Sequence, residues 1–298
     1  TDARSLITLN GEFAHFLPGH SRAIGQSGTS YIDDFEGTKS TIDLKLVSRW
    51  VLASTPQGQP QPNMFPEGDI QSGLKYGMNR AKLSWYIIDP LFYDQGNLRP
   101  LNITSTELSK DEVRQVLEKE VFPNKETPNG YPTNIPVFNL AYYPTEKGPY
   151  NYDVDPQPGF SAGIDEFGNL LDPESRWGGI MREIETSDFE ATNVEYLEFW
   201  VMDPFANNEN SNGGDLYINL GDVSEDLLRD SRKGFENGLP TSEFIENVDT
   251  TIWGRVPSLQ SLVDAFDNDP NARPFQDVGF DGLRDVDERS FFENQYLD

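Results

Sequence analysis

WGGIMREIETSDFEATNVEYLEFWVMDPF, Trp177 to Phe205, followed at Gly213 to Pro240 by GGDLYINLGDVSEDLLRDSRKGFENGLP, decides what fold to expect. Tyr196 to Met202 is a run of mostly apolar, β-favouring residues. Leu197, Phe199 and Val201 fall on one face of a strand, and Tyr196, Glu198, Trp200 and Met202 on the other. An Asn- and Gly-rich loop follows, and then Leu216, Ile218 and Leu220 alternate with Tyr217 and Asn219 as a second strand. Neither face of so aromatic a pair is cheaply left in water, so the pattern calls for a covering sheet. The expected fold is mainly β with a few short helices: an antiparallel, jelly-roll-like β-sandwich carrying a long insertion.

Working outward, Tyr31 to Ala53 reads as strand, turn, strand. Ser54 to Asp69, with its repeated prolines, reads as an irregular loop. Leu83, Trp85 and Ile87 alternate with Ser84, Tyr86 and Ile88, a strong strand over Ala81 to Ile88, and Pro136 to Tyr142 reads as another. Three helices are expected. Ser109 to Val121 has Ser109 and Glu112 as a capping box and an apolar stripe of Val113, Val116, Leu117 and Val121. Ser224 to Lys233 has Ser224 as cap and Gly234 just past its end. Ser258 to Phe266 places Leu259, Leu262, Val263 and Phe266 on one side. The sandwich core is expected from about 24–56 and 177–256, the insertion over 57–176, and an acidic C-terminal loop region over 257–298, all in one extramembrane region.

The 298 residues carry 50 acidic and 23 basic side chains, a formal charge of −27. That balance excludes a nucleic-acid partner, which needs clustered Lys and Arg, and disfavours an anionic membrane surface. The absence of cysteine removes disulfides, thiol nucleophiles and zinc–thiolate sites. No apolar run approaches the ~20 residues of a membrane helix. The scattered strands and polar loops do not read as consecutive lipid-facing barrel strands. A chain starting at Thr1 without a signal peptide reads as an internal segment of something longer.

Several long strings carry a resemblance to a known family. They are the opening stretch; IGQSGTSYIDDFEGTKSTIDL, Ile24 to Leu44, with Trp50 and LASTP, Leu52 to Pro56; NRAKLSWYIIDPLFY, Asn79 to Tyr93; DEVRQVLEKEVFPN, Asp111 to Asn124; LAYYPTEKGPYNYD, Leu140 to Asp153; and QDVGFDGLRDVDE, Gln276 to Glu288. Together they resemble the SprA family (Sov in some species), the giant outer-membrane translocon of the Bacteroidetes type IX secretion system. The pattern is weakest over Asn102 to Lys110 and Glu236 to Val256. The resemblance implies a parent barrel that conducts folded cargo across the outer membrane and serves secretion and gliding motility. This chain would be a non-catalytic, cell-surface or outer-membrane segment of it. Its implied partners are the rest of the barrel, accessory subunits and secreted cargo.

The residues offer little catalytic chemistry. His15 and His20 both lie in the loop FAHFLPGH, at no metal-ligand spacing, and there is no GxSxG elbow. With fifty acids, a glycosidase-like carboxylate pair is guaranteed by number alone and carries no information. The acidic C-terminal stretch suits hard oxygen ligation of calcium, and Asp277, Asp281 and Asp285 are its candidate ligands. Asp33, Asp34 and Glu36 form a second candidate set. An EF-hand register from Asp267 fails, because Ala272 stands at the turn glycine and Val278 at the bidentate glutamate. Solvated loop acids are the simpler account of both clusters. The alternative function is a carbohydrate-binding jelly-roll module with structural calcium. It rests on DFEG at Asp34 to Gly37, Trp50 downstream and a 12% aromatic content. Against it, Trp50, Trp85 and Trp200 sit in strand-like apolar runs where core packing is expected.

Overall fold

The structure is a computed structural model. It describes residues 42–59, 61, 64–71, 73–94, 96, 98–125, 133–186, 188, 194, 196–206, 211, 213–231, 248–257, 268–276 and 281–294. The chain divides into two units. Thr1–Ile42 with Thr186–Leu197 form the first, of which few residues are described; Asp43–Glu185 with Glu198–Asp298 form the second.

The elements of the second unit are short. In chain order they are β1 Val51–Leu52, β2 Ala81–Tyr86, β3 Val116–Leu117, α1 Glu118–Val121, β4 Asn134–Ile135, β5 Asn139–Lys147, β6 Ile180–Met181, β7 Val248–Thr251, β8 Gly254–Pro257, α2 Arg273–Gln276 and α3 Asp285–Phe292. Among the described residues the strands make four two-stranded antiparallel sheets: β1–β6, β2–β5, β3–β4 and β7–β8. Several 3₁₀ turns connect them, among them Pro66–Asp69, Leu74–Gly77 and Pro173–Ser175.

β2 and β5 form the longest ladder. Ala81 pairs with Lys147, but Lys82 pairs with Tyr143, so residues 144–146 bulge out of β5. Pro144 lies in the bulge and has no N–H to give a ladder. The bulge is used: Thr145 accepts a hydrogen bond from Leu170 N at 2.8 Å. Gly148 closes the pair, since a Cβ there would stand 2.5 Å from Ala81 O.

Leu52, Tyr76, Tyr150, Leu227, Leu228 and Trp253 form the buried apolar cluster, with Leu74 and Tyr152 packed on it. Trp253 sits at the β7–β8 turn and meets Tyr150 edge-on at 6.5 Å and Tyr152 at 5.7 Å. Tyr152 also stacks on Phe292 of α3 at 5.2 Å. The polar edges are tied: Tyr76 donates to Thr55 O at 3.0 Å, and Thr55 Oγ1 donates back to Tyr76 O at 2.8 Å.

Some sequence expectations hold. Ala81 to Tyr86, most of the expected Ala81 to Ile88, is a strand; Asn139 to Lys147 overlaps the expected Pro136 to Tyr142 only over 139–142; and the described residues of 54–69 are irregular apart from the Pro66–Asp69 turn. Others are corrected. The helix expected over Ser109 to Val121 shrinks to its last four residues. Val113 O, which a helix would offer to Leu117 N, is taken by the Tyr93 hydroxyl; Leu117 N turns instead to Glu120 Oε1 at 3.0 Å. Ser109 Oγ donates to Thr106 O rather than capping. The reciprocal capping pair lies earlier, where Thr104 N donates to Glu107 Oε2 and Glu107 N to Thr104 Oγ1.

The helix expected from Ser224 is absent over the described residues 224–231. Arg229 and Ser231 have φ of 55° and 65°, the left-handed region that stops a helix. The helix expected over Ser258 to Phe266 lies outside the described residues, and α2 and α3 arise where a loop region was expected.

The largest correction concerns the opening stretch. The described residues of Tyr196 to Met202 and Leu216 to Leu220 are in no strand, and Trp200 is 74% exposed rather than interior. Strand propensity is realised only when another strand offers its N–H and C=O groups, and no described segment does so here. Trp253→Ala is therefore expected to cost about 3–5 kcal/mol, whereas Trp200→Ala should move stability by less than about 0.5 kcal/mol. Urea unfolding of both variants checks the pair, and the reverse order would contradict the assignment of the core.

Candidate functional site

The most constructed place in the described chain is a buried polar network, where four sequence segments meet. The Pro66–Asp69 turn brings Glu67. The passage from the Leu74–Gly77 turn into β2 brings Asn79 and Arg80. The segment after β5 brings Asn151 and Asp153, and the Pro173–Ser175 turn delivers Arg176 and Trp177. Glu67, Asn79, Arg80, Asn151, Asp153 and Arg176 are all buried.

Arg176 is its hub. Its Nη1 reaches Asp153 Oδ2 at 3.0 Å, Asn79 Oδ1 at 3.1 Å and Met78 O at 3.0 Å. Nη2 donates to Gly163 O at 3.0 Å and Nε to Leu171 O at 2.8 Å. Every nitrogen of the guanidinium is thus engaged, and neither it nor the Asp153 side chain is more than 2% exposed. Ser161 Oγ donates to the same Asp153 oxygen, and Asp153 N is bonded to Asn151 Oδ1. Asn151 Nδ2 donates to Arg80 O at 2.6 Å, which closes the circuit back to β2.

Glu67 is the second anion. Its Oε1 accepts from Trp177 Nε1 at 2.7 Å and its Oε2 from Asn79 Nδ2 at 2.8 Å. Burial pushes its carboxyl above the usual 4.5, although the bonds from Trp177 and Asn79 pull the other way. Arg80 is less well served. Its guanidinium lies 5.1 Å from the centre of the Trp177 ring, Nη1 makes one long bond to Pro149 O, and Nε is buried with no partner. Burial, the dominant cause, draws its pKa down to about 10. Around this centre, Tyr142 donates to Arg176 O at 2.6 Å, and burial pushes its hydroxyl up to about 12. Two cations and two anions leave the network formally neutral.

Chemically, the arrangement binds one backbone segment to another. Glu67 has both oxygens occupied by fixed donors, and Asp153 is held by Arg176 and Ser161, so neither carboxylate is aimed at an open space. The same residues enforce strand-like order around β2: Trp177 N donates to Asn79 O and Ala81 N to Trp177 O.

The candidate calcium residues fare differently. Asp33, Asp34, Glu36 and Asp277 lie outside the described residues, as do His15 and His20. Asp281 and Asp285 are brought near Glu288, whose carboxyl is pushed up first by burial and then by those two charges. Asp281 already accepts Leu283 N on Oδ1 and Arg255 N on its carbonyl, and Gly254 is required opposite it, since a Cβ would stand 2.2 Å from Asp281 O. Burial raises the Asp281 carboxyl, which favours its protonated form. Among the described residues no group of three or more His, Asp or Glu is placed to hold a metal ion.

Sequence reasoning did not single out Glu67, Asn79, Arg80, Asp153 or Arg176. Each sits in a polar, loop-like string, and the partners lie up to 110 residues apart. No local periodicity marks them. No protein-family model matches the chain, and no curated protein matches it. No helix among the described residues is long and apolar enough to cross a membrane.

Two outcomes are expected. Arg176→Met strands Asp153 as an uncompensated buried charge and should cost about 3–5 kcal/mol by urea unfolding; a loss below about 1 kcal/mol would contradict the network's role. The second concerns pH. Glu67 holds its proton more tightly folded than unfolded, so its ionisation costs stability. That cost is relieved as pH falls through the folded value, and is gone below the unfolded value near 4.5. The stability of the wild type relative to Glu67→Gln should therefore rise as pH is lowered from 8 toward about 4.5. A difference that falls over that range would contradict burial as the dominant cause.

Proposed function

We propose that this chain is a non-catalytic structural segment of a cell-surface or outer-membrane protein resembling the SprA translocon. On this reading it is an extramembrane part that contacts the rest of the barrel and its accessory subunits, and it serves protein secretion and gliding motility through its shape. Calcium, if it enters, would be structural. The observation that carries the proposal is the convergence of distant strings. Asn79 and Arg80, Asn151 and Asp153, and Trp177 belong to three of the stretches on which the resemblance rests, and they meet in one buried network. A chain whose best-ordered chemistry ties backbone to backbone is suited to a scaffold.

The jelly-roll sandwich belongs to the same proposal. Its support is the β1–β6 pairing, Val51 with Met181 and Leu52 with Ile180, which joins the two stretches assigned to one sandwich across the insertion. The β2–β5 and β3–β4 pairs both close within the insertion, as an independently paired excursion would.

The test uses the full-length protein in its own cell, with an epitope tag at the exposed Phe167 turn. The tag should fractionate with the outer membrane, and Arg176→Met should abolish export of type IX cargo. Lys82→Ala, which breaks only the exposed Lys82–Glu146 ion pair, should leave export intact. A soluble cytoplasmic distribution, or normal export from Arg176→Met, would overturn the proposal.

A further inference from the structure

The sequence holds five Asp–Pro bonds, after Asp89, Asp155, Asp172, Asp203 and Asp269. This tertiary amide is the peptide linkage most open to attack by its own side chain. Its nitrogen leaves readily once protonated, and the Asp carboxylate lies one ring closure from the carbonyl carbon. The fold disarms three of these bonds in the same way. Asp89, Asp203 and Asp269 each engage the carboxylate with the N–H two residues on: Leu91 N at 2.8 Å, Phe205 N at 2.8 Å and Asn271 N at 2.9 Å. At Asp155 the corresponding amide, Gln157 N, donates to Ser161 O, and φ is negative.

Asp172 departs from that pattern at every point that matters for the bond. Its φ of 54° and ψ of 69° are left-handed, although a residue before proline is driven to extended backbone. Asp89, before Pro90, takes the extended values of −63° and 133°. The Asp172 carboxylate makes no capping bond to the turn it precedes. Its carbonyl oxygen accepts two hydrogen bonds from Ser175, from N at 3.1 Å and from Oγ at 2.9 Å. The carbonyls of Asp89 and Asp269 take a turn amide, from Phe92 and Ala272, without a side-chain donor beside it. Two fixed donors on a carbonyl oxygen stabilise the negative charge that develops there when the carbon is attacked. Asp172 and Ser175 are both exposed, so water reaches the bond.

We propose that Asp172–Pro173 is a self-cleavage site, which converts the chain into two pieces that the buried network holds together. The Asp172 carboxylate attacks its own main-chain carbonyl carbon and forms a C–O bond. The carbonyl oxygen takes the negative charge between Ser175 N and Oγ. Collapse of this adduct breaks the C–N bond, and Pro173 N departs with the electron pair and takes a proton from solvent. Water then opens the cyclic anhydride, leaving a carboxyl-terminal Asp172 and an amino-terminal Pro173. Nothing is oxidised or reduced, and water is the sole co-reactant. The pieces stay together because Arg176, on the second, remains bonded to Asp153, Asn79 and Gly163 on the first. The proposal does not depend on the translocon reading, since it rests on the geometry of one peptide bond.

The test is incubation of the intact purified chain in mildly acidic buffer, followed by mass spectrometry. Pieces 1–172 and 173–298 should appear about tenfold faster than any product of the other Asp–Pro bonds, and should co-elute on gel filtration until urea is added. In the urea-unfolded chain all five bonds should break at similar rates, because the selectivity belongs to the fold. Asp172→Asn and Ser175→Ala should each slow the cut about tenfold. Both residues are exposed, so both variants should keep the wild-type unfolding midpoint. In water enriched in heavy oxygen, label should enter the side-chain carboxyl of Asp172 as well as its main-chain carboxyl, because water can open the anhydride from either side. Equal cutting at all five bonds in the folded chain, or a wild-type rate in either variant, would overturn the proposal. So would label confined to the main-chain carboxyl, which is the mark of direct hydrolysis, or pieces that separate without urea.

Discussion

The guanidinium of Arg176, held by Asp153, Asn79 and three main-chain carbonyls, is the constraint on which the described structure depends. Its carbonyl partners belong to Met78, Gly163 and Leu171, residues from three separate passages of chain. Short two-residue strands such as β1 and β6 cannot hold a fold by ladder bonds alone, because an isolated pair is marginal in water. A buried cation that must satisfy its donors on distant carbonyls does what long strands do elsewhere: it fixes the separation and direction of segments remote in sequence. The aromatic cluster around Trp253 then supplies apolar burial around a frame already set.

The energetics are those of a high-stakes polar interior. Desolvating charges is expensive, and the cost is met only where each donor and acceptor finds a partner. Arg176 and Asp153 meet that condition. Arg80 does so only in part, with a bare Nε and an indole face in place of a carboxylate. Burial of that charge draws its pKa down to about 10, against the pull of Tyr76, Tyr150 and Glu67. The exposed pairs, such as Lys82–Glu146 and Lys125–Glu118, join neighbouring loops and strands but lie where solvent screens them, so they contribute little.

What was legible in the sequence was what local periodicity encodes. Alternation found β2, the strand expected over Pro136 to Tyr142 reached only the first four residues of β5, and proline density found the irregular loop before Asp69. Periodicity failed where a distant group captured a backbone atom. The Tyr93 hydroxyl on Val113 O and the Glu120 carboxylate on Leu117 N dissolve a helix whose apolar stripe is otherwise sound. It failed again at Tyr196 to Met202, where the pattern records a preference for strand without recording where the partner strand lies. The candidate site was illegible for the same reason. Nothing near Arg176 in sequence distinguishes it from a surface arginine, because its partners arrive from Met78, Asp153 and Gly163.

The central claim is that the network binds the segments around Glu67, Asn79, Asp153 and Arg176 into one cooperative unit. Native-state hydrogen exchange tests it most directly. The amides of Trp177, Ile164 and Leu171 donate to Asn79, Val154 and Gly163 respectively, so each reports a different junction around the network. The account predicts that all three open with one shared free energy, equal to that of global unfolding, and share one denaturant dependence. Three separate opening energies well below the global value would contradict it, and would show segments that lie together without depending on one another.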